Sequence, residues 1–217
     1  MSLAIFDLDG TILHGDSVTM FLNKMLEFGY IDASYRKLDD GLQEEFLKGT
    51  LDIMKYYRYM LKPFIDLTLN DLKPLIDNFI TTQVLPNVYP EIKEIIAKKQ
   101  SEGKTIVIAS ATTDLIVGPI AHTLGIENFV STKVLYDKNN KIIGDVDPNI
   151  CHKEGKIKHL LALCKEKGWN LDNSEGYGDT VNDIPMLSLT SKPYAVNPKA
   201  DFIKYAKENN FQILNFK

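Results

Sequence analysis

The chain has 217 residues, 44% of them hydrophobic and 25% charged, with a formal net charge of −4 and a pI near 5.6. That length suits one domain, or one core domain carrying a modest insertion, with ample apolar material for a core. The mildly acidic balance argues against nucleic acid as main partner, and no apolar run approaches the roughly 18 residues that a bilayer span requires.

The first segment, Leu3 to Leu8, is a short apolar run that carries a carboxylate at Asp7 and reads as a buried strand. Met1 leads straight into it with no basic stretch, so no signal peptide is expected. Residues 17–84 have a different character. Val18, Phe21, Leu22, Met25 and Leu26 lie on one helical face that ends near Gly29. Leu51, Met54, Arg58 and Leu61 share a second face, stopped before Pro63. Leu69, Leu72, Ile76, Phe79 and Ile80 make a third, with Thr68 as N-cap. The stretch shows no strand pattern and reads as an all-helical insertion.

From residue 88 the pattern alternates. Val88, Ile92, Ile95 and Ile96 line a helix ended by Gly103, and Thr105 to Ala109 reads as a central strand by its unbroken apolar run. A helix bent at Pro119 runs to Leu124, and Phe129 to Tyr136 and Lys141 to Val146 read as strands around Asn139-Asn140. Lys153 to Lys167 is a helix stopped by Gly168. Glu175 to Gly178 is a strand, followed by a helix to Leu189, and Pro193 to Val196 and Phe211 to Leu214 complete the series. The fold expected is α/β: a doubly wound, mainly parallel, Rossmann-like three-layer core built from residues 1–16 and 85–217, with a small helical-bundle cap at 17–84 inserted after the first strand.

In such sheets ligands bind beyond the carboxyl ends of the strands. Asp7, Ser110 and Asp179 all fall at or just after such ends. Asp7-Leu8-Asp9-Gly10-Thr11 sets two carboxylates at one strand end, and Gly178-Asp179-Thr180-Val181-Asn182-Asp183 sets two more and an amide at another. Four carboxylates gathered on one sheet edge require a cation, a proton or both. A hard, oxygen-seeking ion such as magnesium meets that need. Lys156, near the start of a helix, and Ser110, at the end of an apolar strand, are the counterweights for an anionic ligand.

These four motifs, in this order, resemble those of the haloacid dehalogenase-like hydrolases, and they span nearly the whole chain. Gly178 to Leu187, the stretch Ala195-Val196-Asn197-Pro198 and the helical insertion between the first two motifs are similar to the branch that includes phosphoserine phosphatases. The resemblance implies a magnesium-dependent phosphomonoesterase in which Asp7 is the nucleophile and Asp9 the general acid and base. Asp7, the backbone carbonyl of Asp9 and Asp179 would hold the ion, with Asn182 and Asp183 orienting the site. Thr11, Ser110 and Lys156 would donate to phosphoryl oxygens. Lys153 and Lys156 both suit the third-motif lysine; Lys156 is favoured because an apolar residue, Ile157, directly follows it. Asp9 argues against dehalogenation, where the leaving halide needs no proton.

Just before the insertion, Asp16 is a candidate for contacting a substrate amine by the same resemblance, and equally a helix cap. Arg58 is a candidate for binding a substrate carboxylate if it faces inward, and otherwise partners an acidic neighbour. His14 reads as a solvated loop residue, and Met54, Tyr56, Tyr57 and Tyr59 as packing. Phosphoserine is the first-choice substrate, with histidinol phosphate and other small phosphorylated alcohols close behind and lysophosphatidate-type esters further off. A phosphotransferase and a non-catalytic phosphate-binding protein are the rival readings. Cys151 and Cys164, the only cysteines, form no metal-ligand pattern and read as reduced thiols. A cytoplasmic location, no membrane partner, and a monomer or weak homo-oligomer are expected.

Overall fold

The computed structural model describes residues 2–48 and 50–217, without the side chains of 40, 43, 44 and 46–48. Along the chain β1 (Leu3–Phe6) leads to α1 (Ser17–Glu27), α2 (Ala33–Lys48), α3 (Ile53–Leu61), α4 (Leu69–Phe79), the short α5 (Leu85–Asn87) and α6 (Pro90–Ser101). Then follow β2 (Thr105–Thr113), α7 (Asp114–Thr123), β3 (Asn128–Thr132), the pair β4 (Val134–Tyr136) and β5 (Ile142–Val146), and α8 (Glu154–Lys167). The chain closes with β6 (Glu175–Gly178), α9 (Ile184–Leu187), β7 (Lys192–Val196), α10 (Ala200–Glu208) and β8 (Gln212–Leu214). Among the described residues, no helix is long and apolar enough to cross a membrane.

Six strands form one sheet in the order β3-β2-β1-β6-β7-β8, and every neighbouring pair is parallel. The chain first builds outward from β1 through β2 to β3, then returns to place β6 on the other side of β1. The order reverses between β1 and β6, so the loops after these two strands flank the crevice where such sheets hold ligands.

The short strands alternate cleanly. Leu3 and Ile5 join one buried cluster with Val107, Ala109, Leu160, Met186 and Phe202; Ala4 and Phe6 join the other with Ile106 and Ile108. Burial on both faces explains the unbroken apolar run. Phe6, Tyr177 and Tyr194 sit in register on adjacent strands and stack at 4.3 and 4.5 Å between ring centroids, a ladder across three strands beneath the site.

The helices α1 to α4 lie between β1 and β2. Asp16 caps α1 through Thr19 N at 2.7 Å, Asp52 caps α3 through Lys55 N at 3.2 Å, and Thr68 with Asp71 forms a capping box on α4. Phe21, Phe64 and Phe79 pack together here, continuous with the cluster under Phe6 and Ile108.

Some elements differ from the expected ones. Phe129 to Tyr136 is not one strand: β3 stays in the main sheet, whereas β4 leaves it to pair antiparallel with β5. That hairpin meets the inserted helices, with Asp66 N donating to Ile142 O at 3.0 Å and Ile142 N to Leu67 O at 2.9 Å. Ile80–Val84 winds as a π-helix directly after α4. On α3 the buried face is Tyr56, Tyr57, Met60 and Leu61, while Arg58 is exposed.

Candidate active site

The chain leaves β1 at Asp7 and turns sharply. Gly10 adopts φ +77°, and a Cβ there would collide with the Asp179 carboxylate, so the glycine lets the first acidic loop close onto the second. After β6, Thr180 N and Oγ1 both donate to Asp183 Oδ2 at 3.2 Å, which folds Asp183 back toward Asp179. Asp7, Asp179 and Asp183 are all buried, and each offers a carboxylate oxygen within 4.8 Å of the others. Asp183, expected to act from behind, thus brings its carboxylate into the same cluster.

One buried cation enters this cluster. Lys156 Nζ lies 2.5 Å from Asp7 Oδ1 and 2.7 Å from Asp183 Oδ1. The turn before α8 delivers it: Lys153 takes φ 49°, Lys156 N donates to Lys153 O at 3.0 Å, and Gly155 passes Ile150 O too closely for any side chain. Lys153 itself is exposed. Of the two candidate lysines, the structure therefore brings Lys156 to Asp7.

Burial raises the Asp7 pKa to about 7: the Lys156 charge opposes that shift and the Asp183 carboxylate adds to it. Burial, then the carboxylates of Asp7 and Asp183, raise Asp179 to about 8. Burial alone would lower Lys156, but Asp183 and Asp7 outweigh it and hold the ammonium charged. Among the described residues, one buried lysine meets three buried carboxylates, which leaves the cluster short of positive charge. The donor set is hard oxygen throughout, which fits magnesium.

Asp9 faces a different neighbourhood. Its Oδ1 accepts from Ser17 N at 2.6 Å and its Oδ2 from Thr112 Oγ1 at 3.1 Å. Burial and the carboxylates of Asp16 and Asp7 raise its pKa to about 7. Ser110, at the point where the β2–β3 register becomes irregular, accepts at its Oγ from Thr112 N at 3.1 Å.

These groups line one cavity of about 160 Å³, which includes Asp7, Asp9, Asp16, Ser110, Lys156, Asp179, Asn182 and Asp183. Two expected residues lie elsewhere. Thr11 is fully buried, its Oγ1 lacks a hydrogen-bond partner, and it does not line the cavity. Arg58 is half exposed and pairs with Asp145 Oδ1 at 3.1 Å instead of facing the cavity. The cavity also holds residues that sequence reasoning missed: Lys199, His152, Val18, Ile53, Tyr56 and Tyr57. Lys199 Nζ stands 3.8 Å from Asp179 Oδ2, and it follows the Asn197-Pro198 turn at the end of β7, so the strand-end rule was the available signal.

The sequence profile of the haloacid dehalogenase-like hydrolases matches residues 4–188. The chain belongs to this family. A protein of Neisseria meningitidis named histidinol-phosphatase is 30% identical over 100% of this chain and 99% of its own length. The fold of this hydrolase also matches a crystal structure of a protein of unknown function from Bordetella pertussis, with a TM-score of 0.92 at 24% identity over 98% and 97% of the two chains. It matches a phosphoserine phosphatase, solved as an analogue of its phospho-aspartyl intermediate, with a TM-score of 0.69 at 19% identity over 100% and 93%.

Proposed function

We propose that this hydrolase is a phosphatase that cleaves small phosphomonoesters with magnesium, through a phosphorylated Asp7. The observation that carries the reading is the meeting of Lys156 with Asp7 at 2.5 Å inside a cluster of three buried carboxylates, with Asp9 lining the same cavity. The family and the phosphatase names among its relatives support it.

Asp7, Asp179 and the backbone carbonyl of Asp9 would hold the ion, which when bound supplies positive charge against the substrate phosphate. Asp183 and Asn182 orient this set; Asp183 does so by holding Lys156. A carboxylate oxygen of Asp7 attacks phosphorus and the ester P–O bond breaks. Asp9, its pKa raised to about 7 so that it can hold a proton, gives that proton to the departing alkoxide. Asp9 then takes a proton from water, whose oxygen attacks phosphorus, releasing phosphate and restoring Asp7. Ser110 and Lys156 stabilise the phosphoryl oxygens.

The segment 17–84 acts as a cap on a core of 1–16 and 85–217 and excludes water from the site. Its residues Val18, Ile53, Tyr56 and Tyr57 line the cavity, which supports that role. Inorganic phosphate release from a panel of phosphomonoesters, with magnesium and with chelator, tests the reading. Magnesium-dependent release is expected; no release from any ester would overturn it, and transfer to an added alcohol with little free phosphate would make the enzyme a phosphotransferase.

A further inference from the structure

The described residues that line the cavity fall into two unlike sets. One holds the acidic cluster, Lys156 and Ser110. The other is a wall of Val18 of α1 and Ile53, Tyr56 and Tyr57 of α3, with Asp16 at its edge. The hydroxyls of both tyrosines are already engaged by protein partners. Tyr56 Oη donates to Asp39 Oδ1 at 3.1 Å, and Tyr57 Oη to Ala111 O at 2.6 Å. What the tyrosines offer the cavity is ring surface, which favours apolar groups and cations. A small apolar recess lined by Phe21, Met60 and Phe64 adjoins through the same Val18, Tyr56 and Tyr57.

Charge points the same way. Among the described residues, five carboxylates line the cavity against two lysines. Lys156 is committed to Asp7 and Asp183, and Lys199 stands beside Asp179 at the acidic end. Burial and the neighbouring Lys153 and Lys156 push the His152 pKa down, so it adds no cation at neutral pH. The chain's only arginines lie elsewhere: Arg36 pairs with Asp39 and Arg58 with Asp145. A carboxylate on a leaving group set against Val18, Ile53, Tyr56 and Tyr57 would thus meet apolar surface and Asp16, with no guanidinium to receive it.

We infer that the alcohol half of the substrate carries a protonated amine on a compact apolar or aromatic body, and no carboxylate. This rests on the phosphatase reading above and narrows its substrate class. Histidinol phosphate, the ester implied by the name of the Neisseria relative, has this chemistry; phosphoserine, with its carboxylate, does not.

The test compares kcat/KM for esters that differ by one carboxylate, phosphoethanolamine against phosphoserine, with histidinol phosphate added and 4-nitrophenyl phosphate as a generic ester. The amino-alcohol esters should exceed phosphoserine by about tenfold or more. Ile53→Arg, which puts a guanidinium into the wall, should narrow that ratio. Phosphoserine used as well as phosphoethanolamine, or a ratio unmoved by Ile53→Arg, would overturn the inference. Failure with every ester, 4-nitrophenyl phosphate included, would instead strike the phosphatase reading. Calorimetric titration without phosphate then decides: the amino alcohol histidinol should bind more tightly than histidine, which carries a carboxylate in place of the alcohol, and equal binding would refute the assignment.

Discussion

Lys156 reaches Asp7 from a helix 149 residues further along the chain, and both side chains are buried where they meet. Removing one partner of such a pair leaves uncompensated charge, which costs about 3–5 kcal/mol. Lys156→Met should therefore lower unfolding free energy by about that amount in urea titrations. The loss should grow with pH as the carboxylates ionise, and phosphate release should vanish. A variant as stable as the parent would mean that the ammonium does not hold the acidic cluster together.

The acidic cluster also fixes the pH dependence of stability without metal. Asp7 and Asp9 are raised to about 7 and Asp179 to about 8, from an ordinary 3.8. The folded state therefore holds more protons than the unfolded chain between those values. Stability is fully present below the ordinary carboxylate range and is lost as pH rises through the raised values. In chelator, the melting temperature should be higher at about pH 6 than at about pH 8.5. Magnesium must displace these protons, so it should raise the melting temperature more at the higher pH. An equal shift at both would contradict the placement of the ion among these carboxylates.

Gly10 and Asp179 lock the two acidic loops together. Gly10→Ala imposes a left-handed backbone cost of about 1–2 kcal/mol, and its Cβ must also push the Asp179 carboxylate aside. Displacing a reacting group by about 1 Å costs about 100-fold in rate. Phosphate release should fall by that order while the protein still folds, as checked by circular dichroism. Near-parental activity would show that the loops need not approach so closely.

Tyr57 ties the inserted helices to the sheet. Its hydroxyl donates to Ala111 O at 2.6 Å and lies 3.1 Å from Thr132 Oγ1, which also accepts from Cys151 N at 3.0 Å in the loop leading to Lys156. Tyr57→Phe removes only the hydroxyl and should cost about 1 kcal/mol. Amide exchange in α3 should quicken, and KM should rise more than kcat falls, because α3 would be held less firmly against the cavity. Exchange unchanged in α3 would show that other contacts hold it.

Much of this arrangement was legible because strong local signals agreed with the global fold. A carboxylate at the end of an apolar strand is costly without a partner, so Asp7 and Asp179 could be assigned to one sheet edge before any coordinates. Glu175 to Gly178 forms the strand expected, and Thr68 caps α4 as expected. The departures have physical causes. Arg58 shares a helical stripe with Met54 and Leu61, but the bulky rings of Tyr56 and Tyr57 turn α3 so that their own face is buried, and Asp145 on the hairpin takes the guanidinium. The split between β3 and β4 depends on which strand finds β5, a long-range choice that apolar runs do not encode. Lys199 meets Asp179 through a turn whose placement is set by the sheet, not by local sequence.

The covalent role of Asp7 is the central claim, and a quench experiment addresses it most directly. Enzyme mixed with magnesium and an ester that it turns over is stopped in acid within a turnover, digested, and mapped by mass spectrometry. The account predicts a peptide phosphorylated at Asp7, absent from Asp7→Asn, which should also release no phosphate. Turnover that persists in Asp7→Asn, or phosphate found on another side chain, would contradict it.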